Sequence, residues 1–173
     1  MMMLIFWSSC KKAEENVTEQ PNNELLTTVE VVAINTANPL DSSYARWASV
    51  PGVGLDTSNA RLYLKPNATY NVRVNFLDES QSPSVDITPS IKLRGNYHLI
   101  CFSPSGGLNL TVTPTDRDSN TPALPLGLSN LFTTTAASNG SLQVTLHHQP
   151  NVKNGDCAPG SIDADVNFTV YID

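Results

Sequence analysis

The sequence predicts an all-β domain, an immunoglobulin-like or Greek-key sandwich of two sheets and about seven strands. Three observations carry that expectation. Apolar residues recur at every second position in segment after segment, no segment repeats at helical spacing, and clusters of Gly, Pro, Asn and Asp punctuate the intervals. A chain of 173 residues, 40% of them hydrophobic, is long enough to bury one genuine core. One-sided alternation suits sheets that each have one packed and one wet face. A small β-barrel is the alternative closure of the same strands.

Residues 26–34 are β-branched and read as the first strand. Residues 35–59 contain Pro39, Pro51, Gly52 and Gly54 and read mostly as loop, with a short irregular strand around 44–47. Residues 60–64 form a short strand with Leu62 and Leu64 on one face, and Pro66-Asn67 turns the chain. The clearest strand is 69–77, where Tyr70, Val72, Val74 and Phe76 face one way and Asn71, Arg73 and Asn75 the other. Residues 86–92 read as an edge strand containing Pro89. Residues 97–102 form a strand ended by Ser103-Pro104-Ser105-Gly106-Gly107, and 108–115 alternate again with Leu108, Leu110 and Val112 inward. A hairpin joining the two is expected. Residues 116–131 hold Pro122, Pro125 and Gly127 and read as loop. Residues 141–148 place Leu142, Val144 and Leu146 inward, and 165–172 place Val166, Phe168, Val170 and Ile172 on one face.

The N-terminus has a different character. Residues 1–7 are apolar, Ser8-Ser9-Cys10 follow, and Lys11 begins an abruptly polar stretch. The apolar run is shorter than the roughly 20 residues that span a bilayer, and it lacks the basic start of a complete secretory signal. An apolar run ending in small residues and a cysteine resembles the tail of a bacterial lipoprotein signal. The resemblance implies that residues 1–10 are a truncated signal ending at a lipidated Cys10, multiply acylated as stable anchoring requires. An unstructured terminus with an incidental cysteine is the alternative. Residues 11–24, dominated by Glu, Asn, Gln and Pro, read as a flexible polar tether, and 25–173 as a single domain.

The net charge is −6, from 10 basic and 16 acidic residues. Arg46, Arg61, Lys65, Arg73, Lys92, Arg94, Arg117 and Lys153 are scattered, so no basic stripe follows a phosphate backbone and nucleic acid is not an expected partner. After Cys10 only Cys101 and Cys157 remain, 56 residues apart. In an oxidising compartment they would form a disulfide, with two buried thiols as the alternative. Cys157 lies in the turn-like run Asn154-Gly155-Asp156-Cys157-Ala158-Pro159-Gly160, where a cysteine more often ties a loop down than fills a core.

Several stretches resemble a family of small exported lipoproteins from Bacteroidetes. They are LKPNATYNV at 64–72, FLDES at 76–80, LNLTVTPTDRD at 108–118, PLGL at 125–128 and LQVTLHHQPNVKNG at 142–155. The resemblance spans most of the chain from residue 25 onward. It implies a single β-rich domain of no settled activity at the outer membrane, and it brings no catalytic residues. This chain departs from the family at 92–102, where Arg94-Gly95-Asn96-Tyr97-His98 is nearly neutral and relatives are acidic and His-containing.

The residues themselves offer a few constellations. Asp116, Asp118 and Asn120 alternate in one loop and present oxygens of the kind calcium takes, though the glycine and glutamate of an EF-hand are missing. Turn formation through their own backbone is the plainer reading. His98 and His148 would have to approach one another to serve a zinc or haem site. His147 is expected on the wet face with Gln143 and Thr145. Tyr44, Trp47 and Tyr63 cluster in or near the long early loop and suit a ligand surface, with core packing of Trp47 as the alternative. No serine sits in a Gly-x-Ser-x-Gly elbow, and no His-Glu-x-x-His is present. The sequence therefore points to a non-catalytic cell-envelope lipoprotein, a binding or accessory module. Its partners would be the membrane, through the anchor, and an envelope protein, a small molecule or a glycan. A metal or haem capture protein and a small envelope hydrolase are the rival readings.

Overall fold

Period-two burial along each strand assembles two sheets that face one another across a shared apolar layer. The computed structural model describes residues 25–173, and the expected lipidation site Cys10 and expected tether 11–24 lie outside them. The larger sheet has seven strands. These are β1 (Thr28–Asn35), β2 (Ser42–Val50), β3 (Gly54–Asp56), β5 (Thr69–Asp78), β6 (Val85–Asp86), β8 (Leu110–Pro114) and β9 (Ser129–Thr134). Their order is β3-β2-β1-β5-β9-β8, with β6 paired to the end of β5. The smaller sheet has four strands: β4 (Arg61–Leu64), β7 (His98–Ser105), β10 (Ser138–His148) and β11 (Ser161–Ile172), in the order β4-β11-β10-β7. The β4–β11 pair is parallel and the other pairs are antiparallel. The sheets form a sandwich and do not close into a barrel.

The inward rows are those the alternation singled out. Tyr70, Val72, Val74 and Phe76 of β5 face Leu142, Val144 and Leu146 of β10 and Val166, Phe168 and Val170 of β11, all of them buried. Each large aliphatic or aromatic side chain so buried contributes roughly 1.5–3 kcal/mol. Along one side the sheets are clasped: the Ser43 hydroxyl accepts the Tyr63 N–H at 2.9 Å, and Arg46 N–H donates to the Asn59 carbonyl at 2.9 Å. The rear edge of β4 is thereby covered by β2.

Four expectations need correction, each for a local reason. The segment read mostly as loop contains β2, nine residues long. Its inward positions Ser43 and Ala45 are too small to register as an apolar row. The edge strand expected over 86–92 is the two-residue β6 followed by a short helix, α1 (Thr88–Leu93). Pro89 sits in the first helical turn, where its fixed φ and missing N–H cost nothing. The expected hairpin between 97–102 and 108–115 does not form. β7 pairs with β10 and β8 with β9, so the Gly106-Gly107 turn carries the chain from one sheet to the other. Finally, β9 begins inside the expected 116–131 loop, because its inward residues Asn130, Phe132 and Thr134 include two polar side chains.

At one end of the sandwich β1, β7, β9 and β11 begin and β2, β5, β8 and β10 finish, so the loops 79–97, 115–128 and 149–160 gather there. Gly127 holds the middle loop against β7. Its φ is +91°, and a Cβ there would lie 2.6 Å from the Ile100 carbonyl oxygen. Only glycine permits that approach, which sets the 2.8 Å bond from Ile100 N–H to the Leu126 carbonyl.

Candidate ligand-binding site

The outer face of the larger sheet presents side chains in rows that cross strands directly. Tyr44, Val32, Arg73 and Ser129 are consecutive register partners on β2, β1, β5 and β9. Beside them run Ser42, Ile34, Asn71, Leu131 and Thr113, and on the other side Arg46, Glu30 and Asn75. Four strands at the usual interstrand spacing make the row from Tyr44 to Ser129 roughly 14 Å long. The twist of the sheet hollows this face into a groove of about 440 Å³ whose lining includes Val32, Ile34, Asn71, Arg73, Asn75 and Ser129.

The polar groups here are held in place before any ligand arrives. Glu30 accepts a hydrogen bond from the Tyr44 hydroxyl at 2.6 Å and another from Asn75 Nδ2 at 3.3 Å. Partial burial, then the bond to the Glu30 carboxylate, push the Tyr44 phenol up to about 12. Arg46 is engaged by Asp56 at 3.3 Å and by Glu79. Arg73 differs: it is exposed and makes no ion pair among the described residues. The groove thus combines a guanidinium with five donors, two carboxamides, hydroxyls and an aliphatic floor.

Of the three aromatics expected on a ligand surface, only Tyr44 belongs to this face. Trp47 is turned inward opposite Val29 and packs against the core. Tyr63 is on β4 in the other sheet, 55% exposed and stacked on Tyr171 with ring centroids 5.2 Å apart. Sequence reading missed Arg73, although the outward register of the clearest strand already marked its direction.

The other singled-out residues meet at the loop end. Cys101 and Cys157 form a disulfide that draws loop 149–160 over the outer face of the smaller sheet. His147 lies on that face, as expected, but it is not wet. With Leu99 and Cys101 it is buried, and its Nε2 lies 2.9 Å from the Thr145 hydroxyl. Asp116 accepts the N–H groups of Gly127 and Leu128 at 2.8 and 3.1 Å. Asp118 Oδ1 accepts the N–H groups of Asn120 and Leu124 at 3.0 and 2.8 Å. Its Oδ2 accepts Asn120 Nδ2 at 2.8 Å and the Lys153 ammonium at 2.8 Å. The side chains of Lys153 and Asp118 are 2% and 0% exposed. Asp116, Asp118 and Asn120 therefore do come together, but around backbone donors and a lysine, with the Asp118 lone pairs filled. Nothing in the spacing of the sequence links Lys153 to Asp118.

His98 and His148 are register partners and stack at 5.1 Å with 20° between their planes. His98 Nδ1 donates to the Arg94 carbonyl at 3.0 Å. Among the described residues no three His, Cys, Asp or Glu side chains are grouped to hold a metal ion. Comparison of the chain with protein-family models, with curated proteins and with solved structures found no match.

Proposed function

We propose that this protein is a non-catalytic binding module of the bacterial cell envelope, tethered through a lipid on Cys10, and that it takes a saccharide along the outer face of its larger sheet. The single observation behind the ligand class is the cross-strand row Tyr44, Val32, Arg73, Ser129, flanked by Asn71 and Asn75. Amide, hydroxyl and guanidinium donors spaced across a shallow groove match the dense hydroxyls of a sugar, and Val32 and Ile34 offer an apolar floor to its C–H faces. Arg73, which makes no ion pair among the described residues, favours a sugar that carries a carboxylate. The placement at the outer membrane and the link to Bacteroidetes lipoproteins are supported by Ser8-Ser9-Cys10 and the quoted stretches. We read the sandwich as immunoglobulin-like in its general plan, with the chain crossing between sheets after β7.

The ligand class is tested by calorimetric titration with neutral and uronate-containing oligosaccharides. Arg73→Ala should weaken binding of the uronates by at least about tenfold, the value of a charge-assisted hydrogen bond. Tyr63→Ala, on the other sheet, should leave it unchanged. Equal affinities for the parent and Arg73→Ala would remove the groove from consideration. The anchor is a separate matter: Cys10→Ala should move the exported protein from the membrane to the soluble fraction, and unchanged partition would rule out lipidation as the tether.

A further inference from the structure

We infer that the loop end carries a second binding site, for the phosphate of an anionic phospholipid, and that this end of the domain rests on the membrane surface. An open cavity of about 540 Å³ lies between α1 and the 115–128 loop. Lys92 and Arg117 supply its charge, Ser119 a hydroxyl, and Pro89 and Leu93 an apolar rim. Leu93 is 86% exposed. Asp118 also lines the cavity, but its oxygens already take four donors and the Lys153 ammonium neutralises it from behind. Lys153 offsets Asp118, which leaves Lys92 and Arg117 as the charged side chains of this lining without an ion pair among the described residues, on a chain whose net charge is −6.

An exposed apolar side chain that shares a cavity with two cations is the arrangement of an interfacial contact. The hydrocarbon enters below the headgroups while the charges stay with the phosphates. The path of the chain agrees. Thr27 N–H donates to the Leu77 carbonyl at 3.0 Å, Leu77 pairs with Asp86, and α1 begins two residues later. The described chain thus enters the domain at the same end of the sandwich as this cavity. For that orientation the inference rests on the lipid-anchored reading above. With the loop end down, the saccharide groove on the sheet face stands upright and open.

The test uses the full chain carrying Cys10→Ser, so that no lipid contributes, and phosphatidylcholine vesicles with and without phosphatidylglycerol. Binding is expected only with phosphatidylglycerol, weakening as sodium chloride is added. Lys92→Gln and Arg117→Gln should each reduce it about fivefold. Leu93→Ser should also reduce it, by at least about fivefold. All three residues are exposed, so the variants keep the fold, and an unchanged circular dichroism spectrum and urea midpoint of the same samples confirm it. Equal binding to both vesicle types, or variants that bind like the parent, overturns the proposal. So does inorganic phosphate perturbing Lys92 and Arg117 in a protein that ignores vesicles, which would mark a free-anion site. None of these outcomes bears on Cys10, whose role is read from membrane partition in cells.

Discussion

Replacing Cys101 and Cys157 together by serine is expected to lower the stability of the domain by about 3–4 kcal/mol. The bridge closes a loop of 56 residues, so its loss restores a large share of unfolded-chain freedom. The folded state loses something as well. Loop 149–160 covers Leu99 and His147 on a sheet face that alternation alone would leave wet, and without the bridge that cover is held by hydrogen bonds and the Lys153–Asp118 ion pair. Gln149 Nε2 still donates to the Asp156 and Pro159 carbonyls at 2.8 and 2.9 Å, which keeps the loop near its place. Urea unfolding of the parent and the double variant measures the difference. A midpoint that does not move would show that the loop is held without the bridge.

Asp118→Ala should be as damaging, at about 3–5 kcal/mol, because it strands a buried ammonium. Lys153 would keep the Gly95 carbonyl at 2.8 Å and, among the described residues, no counter-charge at hydrogen-bond distance. The pair joins the 115–128 loop to loop 149–160, so its loss would loosen both. Replacing both members with apolar residues, Asp118→Leu with Lys153→Met, should recover much of the loss, since the desolvation cost disappears with the charges. The pH dependence follows from the directions of the two shifts. Burial works to raise the Asp118 carboxyl, but hydrogen bonds from Lys153, Leu124 and Asn120 outweigh it and hold the group below the ordinary carboxylate value. Its contribution is thus present above the unfolded value of about 3.9 and is lost as the pH falls through the lower folded value. Lys153 runs the other way. Burial pulls its ammonium below the ordinary lysine value despite the bond and charge of Asp118, so that cost is relieved as the pH rises above the folded value. Acid unfolding of Asp118→Asn should lack the Asp118 component, and an acid transition unchanged from the parent would contradict the assignment.

Strands whose inward residues were large and apolar were legible in the sequence: β5, β10 and β11 fall close to where alternation put them. Two of the failures share one cause. β2 and β9 bury Ser43, Ala45, Asn130 and Thr134, and such side chains leave no hydrophobic signature even when the backbone is fully paired. The lost hairpin has another origin. Residues 103–107 carry strong turn chemistry, yet whether two strands stay in one sheet depends on which partner each finds across the core. At the loop end the sequence named the residues but not their associations. Asp116, Asp118 and Asn120 read as turn formers before calcium ligands, and backbone N–H groups are indeed their partners, but the lysine more than thirty residues away in sequence was not legible. On the larger sheet the outward residues of β5 were on view from the start. What could not be read was that β1, β2 and β9 bring Val32, Tyr44 and Ser129 into line with Arg73.

The most direct test of the groove is backbone and side-chain NMR of the full chain during titration with a uronate-containing oligosaccharide. The groove predicts saturable shifts at Val32, Tyr44, Asn71, Arg73, Asn75 and Ser129, with Tyr63, Tyr171 and the 115–128 loop unmoved. Shifts confined to Tyr63 and Tyr171, or to the loop end, would contradict it.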